Sequence, residues 1–441
     1  MPMARRLLAV LMLAVMGAGC GKVGSGCDPR PEGDERSVRE RFAAYRGESG
    51  PREDGRWGTI REQGRDDAEL ETQIRQLEAL GYASGTKTAP SLIGVTQHDA
   101  ARAEPGLNFY TSGHAAEAVL MTMSGDVVHR WARDFWDVWP NDAAERSQDG
   151  TQHWRRAHLF PNGDLLVIFE GLGLAKLDKD SKVLWAKRNG AHHDLQVLSN
   201  GDIAVLVREA RVIRRIDYRR PTLEDSVLIL DANGREKERH SMLEAFERSK
   251  AHRHIWDDAS RRWGDLFHTN SIEVLDGSSA DVHPAFAEGN FLLSSRHLDT
   301  VFVVDRERNE VIWALRAGFA AQHDARMLEG GSLILFDNSG KKGRVSSVEV
   351  YDIATTKLVW EYAGSEAAPF YTRFCGAAQR LLNRNTLITE SDNGRAFEVT
   401  PDGSIVWEFY NPHRAGDNDE LIAALFQVDR LPADFAQWLH P

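Results

Sequence analysis

Cysteine is scarce in this chain, with three residues in 441. Cys20 lies in the N-terminal segment, Cys27 in a polar linker and Cys375 near the C-terminal end, so no structural disulfide is expected. Positive charge is in deficit. Lys and Arg number 54 against 66 Asp and Glu, for a net charge of −12, which argues against a nucleic-acid partner and for an acidic surface. Long apolar runs are missing too, since residues 7–16 form a stretch too short to span a membrane stably. A phosphate loop is also absent. The glycines of 17–26 with Lys22 lack the flanking strand, the helix and the full spacing such a loop needs.

What is present begins with a targeting segment. Arg5 and Arg6 precede the apolar run, which ends in Gly17-Ala18-Gly19-Cys20. This resembles a bacterial lipoprotein signal, with Cys20 as the lipidated residue, although Gly17 stands where Leu is usual. Residues 1–20 are therefore read as signal, and the chain as an exported lipoprotein, periplasmic or anchored to the outer membrane. Residues 21–66 are rich in Gly, Arg, Asp, Glu and Pro and read as a tether. Leu70, Ile74, Leu77 and Leu80 then follow helical spacing, which predicts one amphipathic helix over 68–80, so that tether and helix fill 21–100.

From about residue 106 the pattern changes to short strands separated by glycine turns. Copies end in a tryptophan at Trp131, Trp185, Trp313, Trp360 and Trp407, the last three spaced evenly. Four strands per unit at this period indicates propeller blades. The fold class is all-β, a six-bladed propeller over 101–415 with blades near 106–135, 150–188, 189–242, 264–316, 317–363 and 370–411. The third blade lacks its Trp and carries an insertion at 208–220. A helical excursion is predicted over 241–263. A tail over 416–441 is expected to hold short helices at 421–428 and 435–439. The repeated Trp is read as packing between sheets.

Two copies of a His-Asp pair open inner strands, His192-His193-Asp194 and Gln322-His323-Asp324, and His268-Thr269-Asn270 is a variant of them. The first two blades and the last are expected to lack a histidine at that station. Arg296 ends the second strand of the fourth blade. The start of the first strand and the end of the second lie at one face, so these groups should converge at one mouth of the channel. Strand neighbours alternate, so only one of His192 and His193 faces the channel. His193 is favoured, because it and His323 each lie eight residues before a turn glycine, Gly201 and Gly331. By the same alternation His297 is structural. His158 stands off the station. Imidazoles suit either metal binding or transfer of a tetrahedral anion, and the permanent cation Arg296 weighs against the metal. His252, His254, Asp257 and Asp258 could seed a metal site, but they read better as a solvated loop. No metal site and no cofactor is expected.

These stretches, with Leu293-Ser294-Ser295-Arg296-His297 and Gly376-Ala377-Ala378-Gln379-Arg380, resemble the bacterial arylsulfotransferase family from about Ser91 to Pro412. The resemblance implies a six-bladed propeller that moves a sulfuryl group from an aryl sulfate donor to a phenolic acceptor by a ping-pong route without a nucleotide. It makes His323 the transiently sulfated nucleophile. His193 and His268 would handle protons and hold sulfate oxygens, and Arg296 would bind sulfate. Gln379 and Arg380, read as opening the last inner strand, and Tyr371 and Arg373 are candidate substrate contacts. Trp136 and Trp139 could wall a phenol pocket. The chain departs from the best-known members in lacking a separate N-terminal β-domain and the means to form their disulfide. Two other readings remain open. One is a non-catalytic envelope propeller that binds or scaffolds a partner, and the other a metal-dependent hydrolase or lyase using the same histidines. A closed propeller has no edge to cover, so a monomer is expected.

Overall fold

Alternating short strands and glycine turns produce a stack of small antiparallel sheets, as the spacing predicts. The structure, a computed structural model, describes residues 86–439 apart from 147, 258–262, 341–344, 366–367, 369 and 416–417. The signal, Cys20, the tether and the helix predicted over 68–80 lie outside the described residues.

Among the described residues there are six sheets of four or five strands and a further sheet of three short strands. The strands Leu425–Leu431, Trp154–Leu159, Ala191–Val197, Thr269–Val274, His323–Leu328 and Ala377–Arg380 are innermost in the six. Each packs against the next, and the last returns to the first, so the inner strands close a ring. The fold is a β-propeller. Its core lies between sheets and is built from alternating buried residues, such as Leu165, Val167 and Phe169 on one face and Leu166 and Ile168 on the other.

The ring closes by an exchange of termini that the sequence reading did not foresee. The first sheet takes its inner strand from the C-terminal segment Leu425–Leu431, paired antiparallel to Leu107–Ser112. The last sheet takes its outermost strand, Gly94–His98, from the N-terminal side. The propeller therefore extends beyond 101–415 at both ends. The helix expected at 421–428 is instead the strand Leu421–Ala423 followed by the start of Leu425–Leu431. An apolar run of that length fits a buried strand as well as a helix, and the vacant inner edge of the first sheet decides between them. Of the second tail helix only the 3-10 turn Gln437–Leu439 forms. The excursion after the third sheet is helical as expected, with Met242–Arg248 and Arg253–Asp257, before Gly264–Asp265 adds a parallel strand to that sheet.

The repeated tryptophans join neighbouring sheets. The indole N–H of Trp131 donates to the Gly163 carbonyl (3.0 Å), Trp185 to Ala232 (3.2 Å), Trp360 to Pro401 (3.1 Å) and Trp407 to Met123 (2.9 Å). Each acceptor sits in a turn of the next sheet. Each tryptophan thus fills the inter-sheet gap and satisfies its one polar atom there. Gly234 leaves room for Trp185, since a Cβ on it would lie 2.9 Å from the indole.

Candidate active site at one mouth of the propeller channel

The inner strands do not enter the ring as regular ladders. Register breaks fall between Trp154 and Arg156, Ala191 and Leu195, Thr269 and Ser271, and His323 and Arg326. They lie at one mouth. His193 (φ 51°) and His268 (φ 49°) are in the left-handed region. That conformation costs a non-glycine residue on the order of 1 kcal/mol or more and clusters at functional sites. The shared station is therefore only approximate. His323 pairs with Phe336 in its ladder, whereas His193 lies inside a break and His268 just precedes its strand.

The His-Asp pairs divide their labour. Asp194 accepts the Ile272 N–H (2.9 Å) of the next inner strand and pairs with Arg326 (2.6 Å) and Arg156 (3.1 Å). Asp324 accepts the Ala378 N–H of the following strand (3.1 Å) and also pairs with Arg326 (2.9 Å). The aspartates therefore tie blade to blade, while the histidines beside them face the mouth.

Hydrogen bonds set the tautomers. His323 Nδ1 lies 2.9 Å from the Ala321 carbonyl and 2.7 Å from Asn338 Oδ1. The Asn338 amide N–H groups donate to the carbonyls of Thr372 and Cys375, which fixes its oxygen toward the imidazole. Both neighbours of Nδ1 are acceptors, so Nδ1 carries the proton and Nε2 the lone pair. The same reasoning holds for His268, whose Nδ1 donates to Asp265 Oδ2 at 2.7 Å while its backbone N–H donates to Oδ1 at 3.1 Å. His193 Nδ1 lies 2.9 Å from His192 Nδ1 and 3.5 Å from Glu170 Oε1, and its backbone N–H donates to Glu170 Oε2 at 3.0 Å. The His193 and His268 rings are 4.9 Å apart, and His268 and His297 are 4.8 Å apart.

Arg296 opens a 3-10 turn after Phe291–Ser295 and is nearly buried. Its N–H donates to the His268 carbonyl (3.2 Å). Burial, with the charges of Arg296 and Arg155, holds His323 down to about 3, so it is neutral at pH 7. Burial and neighbouring cations likewise keep His193 and His268 well below the ordinary histidine range. Burial pushes Asp225 up to about 7 and raises Glu170. Neutral imidazoles beside fixed guanidinium groups suit a nucleophile and a base working on an anion.

The sequence reading located His193, His268, His323 and Arg296 but missed their carboxylate and amide partners. Glu170, Arg208 and Arg296 each stand five residues after the first residue of a second strand, Leu165, Ile203 and Phe291. The offset that marked Arg296, applied to every blade, would have pointed to Glu170 and Arg208 as well. His153 directly precedes the second inner strand, so that blade does carry a histidine near the station. Asp265 and Asn338 leave no repeat signal. His297 donates from Nδ1 to the Asp265 carbonyl (3.0 Å) and buttresses His268.

The candidate substrate contacts fare differently. Arg380 ends its strand rather than opening it, pairs with Thr386 at the opposite end of the sheet, and lies 4.9 Å over the Trp360 ring. Gln379 bridges blades, accepting the Arg430 N–H (2.7 Å) and donating to the Arg430 carbonyl (3.1 Å). The last inner strand is short, so its mouth falls at Cys375 and Gly376 instead. Tyr371 and Arg373 lie in the loop leading to it, where Tyr371 meets Lys87 at 5.6 Å and Arg373 meets Phe374 at 5.9 Å. Trp136 and Trp139 pack in the core between the first two sheets. His158 sits against Phe160, near the first turn of its sheet.

Among the described residues three groups of ligand-type side chains come close together. Two of them, Glu170–His192–His193 and Asp265–His268–His297, belong to this mouth, and the third is His114–Glu117–His413. The pair His252 and His254, with rings 6.5 Å apart, is in none of them.

A family model described as arylsulfotransferase (ASST) matches residues 156–412, more than half of the chain, a span that holds His193, His268, Arg296 and His323. The chain belongs to the arylsulfotransferase family. At that level its activity class is aryl sulfotransfer, with aryl sulfate donors and phenolic acceptors as the substrate classes. No curated protein matches the sequence. Similar solved structures include a protein of unknown function from Bacteroides caccae, at 10% identity and TM-score 0.48, covering 74% of this chain and 98% of that one. A streptogramin B lyase matches at 13% identity and TM-score 0.41, with 79% and 94% covered. BamB from Moraxella catarrhalis matches at 9% identity and TM-score 0.34, with 77% and 93% covered.

Proposed function

We propose that this arylsulfotransferase works by a ping-pong route through a sulfated His323. The observation that carries this reading is the pair of acceptors on His323 Nδ1, which leaves Nε2 as the nucleophilic nitrogen of a neutral, buried imidazole. In the first half-reaction Nε2 bonds to sulfur and the sulfur–aryl oxygen bond breaks, leaving an aryloxide. Arg296 and His193 hold the sulfuryl oxygens. In the second, the acceptor phenol gives its proton to His268 Nε2 as its oxygen bonds to sulfur, and the S–N bond breaks. Asp265 stabilises the imidazolium so formed, and that proton goes to the aryloxide of the next donor. The two half-reactions therefore balance in protons across a full cycle.

The test uses 4-nitrophenyl sulfate with phenol as acceptor. Wild type is expected to release nitrophenolate in an acceptor-dependent way, and intact mass before acceptor is added should show one added sulfuryl group. His323→Ala should lose both. Turnover by that variant at the wild-type rate would remove His323 from the chemistry.

A further inference from the structure

The proposed displacement has a direction, because attacking and departing atoms lie on opposite sides of a transferred tetrahedral group. His323 belongs to the fifth inner strand of a ring of six, so the position facing it is the second, Trp154–Leu159. The mouth of that strand carries His153 and Arg155, and the neighbouring closing strand contributes Phe426. The Phe426 ring lies 4.6 Å from His153 and 5.4 Å from the Arg155 guanidinium. His153 is 1% exposed and Arg155 5%. Among the described residues neither ring nitrogen of His153 nor Arg155 Nε has a hydrogen-bond partner. Arg155 keeps only a loose 3.8 Å approach to Glu170, whose same oxygen already accepts the His193 N–H. A buried guanidinium and a buried imidazole with polar atoms to spare are costly unless a ligand uses them.

We infer that His153, Arg155 and Phe426 form the subsite for the aryl group, in which Arg155 receives the negative charge that develops on the departing aryl oxygen. The ring packs on Phe426. As the sulfur–oxygen bond breaks, its electron pair stays on the aryl oxygen, and Arg155 hydrogen-bonds to it without surrendering a proton. Because the acceptor half-reaction is the same displacement reversed, the same subsite seats the acceptor. The ligand class is an aryloxide, bound more tightly than the neutral phenol. The position of the subsite rests on His323 as nucleophile. The ligand it takes can be tested apart from turnover.

Two measurements on the full chain decide it, using Arg155→Met, Arg155→Lys and Phe426→Leu. In equilibrium dialysis with 4-nitrophenolate, Arg155→Met should bind at least about tenfold more weakly, Lys should recover part of the loss, and Phe426→Leu should weaken the phenolate and neutral phenol alike. Across phenyl sulfates with leaving groups of rising pKa, kcat/KM of Arg155→Met should fall more steeply than wild type, by about 10²-fold at the poor leaving groups. Equal nitrophenolate binding, or a parallel fall across the whole series, overturns the inference and leaves the sulfohistidine reading standing. A wild type that binds nitrophenolate through Arg155 but turns over no aryl sulfate overturns the proposed function instead. If Arg155→Met does not fold, the Lys and Leu variants still decide, since wild-type binding by both would overturn the subsite.

Discussion

Replacing Asp265 with Asn should separate the two half-reactions. Asp265 is buried, and both of its oxygens serve His268, one accepting Nδ1–H at 2.7 Å and the other the backbone N–H at 3.1 Å. Asparagine keeps the shape but has one acceptor oxygen. If that oxygen stays on the backbone N–H, the amide N–H faces Nδ1, and His268 must move its proton to Nε2. The base then has no lone pair for the phenol. The ion pair that would stabilise the imidazolium is lost as well. A hydrogen bond to a charged group contributes about 1.5–3 kcal/mol, or roughly 10–150-fold in rate. With the wrong tautomer added, the loss should reach about 10²–10⁴. The assay is a burst experiment. Nitrophenolate leaves readily without a proton, so loading of His323 from 4-nitrophenyl sulfate should stay within a few-fold of wild type. Discharge of the loaded enzyme to phenol should fall by the full factor. Two unchanged phases would refute the dyad, and an equal fall in both would show that Asp265 only supports the fold.

Two further outcomes concern stability. Asp194→Ala leaves Arg156 and Arg326 with Asp324 as their remaining carboxylate and the Ile272 N–H without its acceptor, so urea denaturation should show a loss of about 1.5–3 kcal/mol. Lowering the pH should destabilise the fold from about 6.5 downward. His153, His192 and His323 stay neutral down to about 3 in the folded chain, because burial penalises their charge, while unfolded histidines take up protons below about 6.5. Each such group removes up to about 1.4 kcal/mol per pH unit in that window. Buried carboxylates oppose this by binding protons in the folded state above the unfolded carboxylate range, Asp225 at about 7, Asp337 at about 6, and Glu170, Glu273, Glu390 and Asp429 raised by burial. The histidines act over the whole window from about 6.5 downward, and His193 and His268, with His158 and His413 held at about 4, add to the three above. Calorimetry should therefore show Tm falling from pH 6.5 to 4, and a flat profile would contradict neutral burial of these rings.

The blades were legible because strand alternation and glycine turns repeat, and each repeat specifies its own hairpins. The closing strand was not. Leu425–Leu431 has no partner nearby in sequence, and its apolar run fits two periods until a vacant edge selects one. At the site, residues repeated at a station could be found, as with His193, His323 and Arg296. Asp265 and Asn338 could not, since each serves one histidine through a local loop. Gln379 and Arg380 were misplaced because the last inner strand starts nearer its turn than the others do, which moves the mouth to Cys375 and Gly376.

The borrowed inner strand also sets a schedule for assembly. Arg430 reaches Asn108 across 322 residues of chain, so the first sheet waits for Leu425–Leu431 to be made before it has an inner edge. Until then the ring is an open arc with two unpaired edges, of the kind that invites pairing with other chains. Closure over so long a span adds entropy only slowly with length but delays folding, since it must come before the contacts that reward it. Phe426 sits on that closing strand, against His153 and Arg155. A nascent or truncated chain could therefore hold its four catalytic candidates in place and still lack the wall that would receive an aryl group. Closure of the ring and completion of the site are one event.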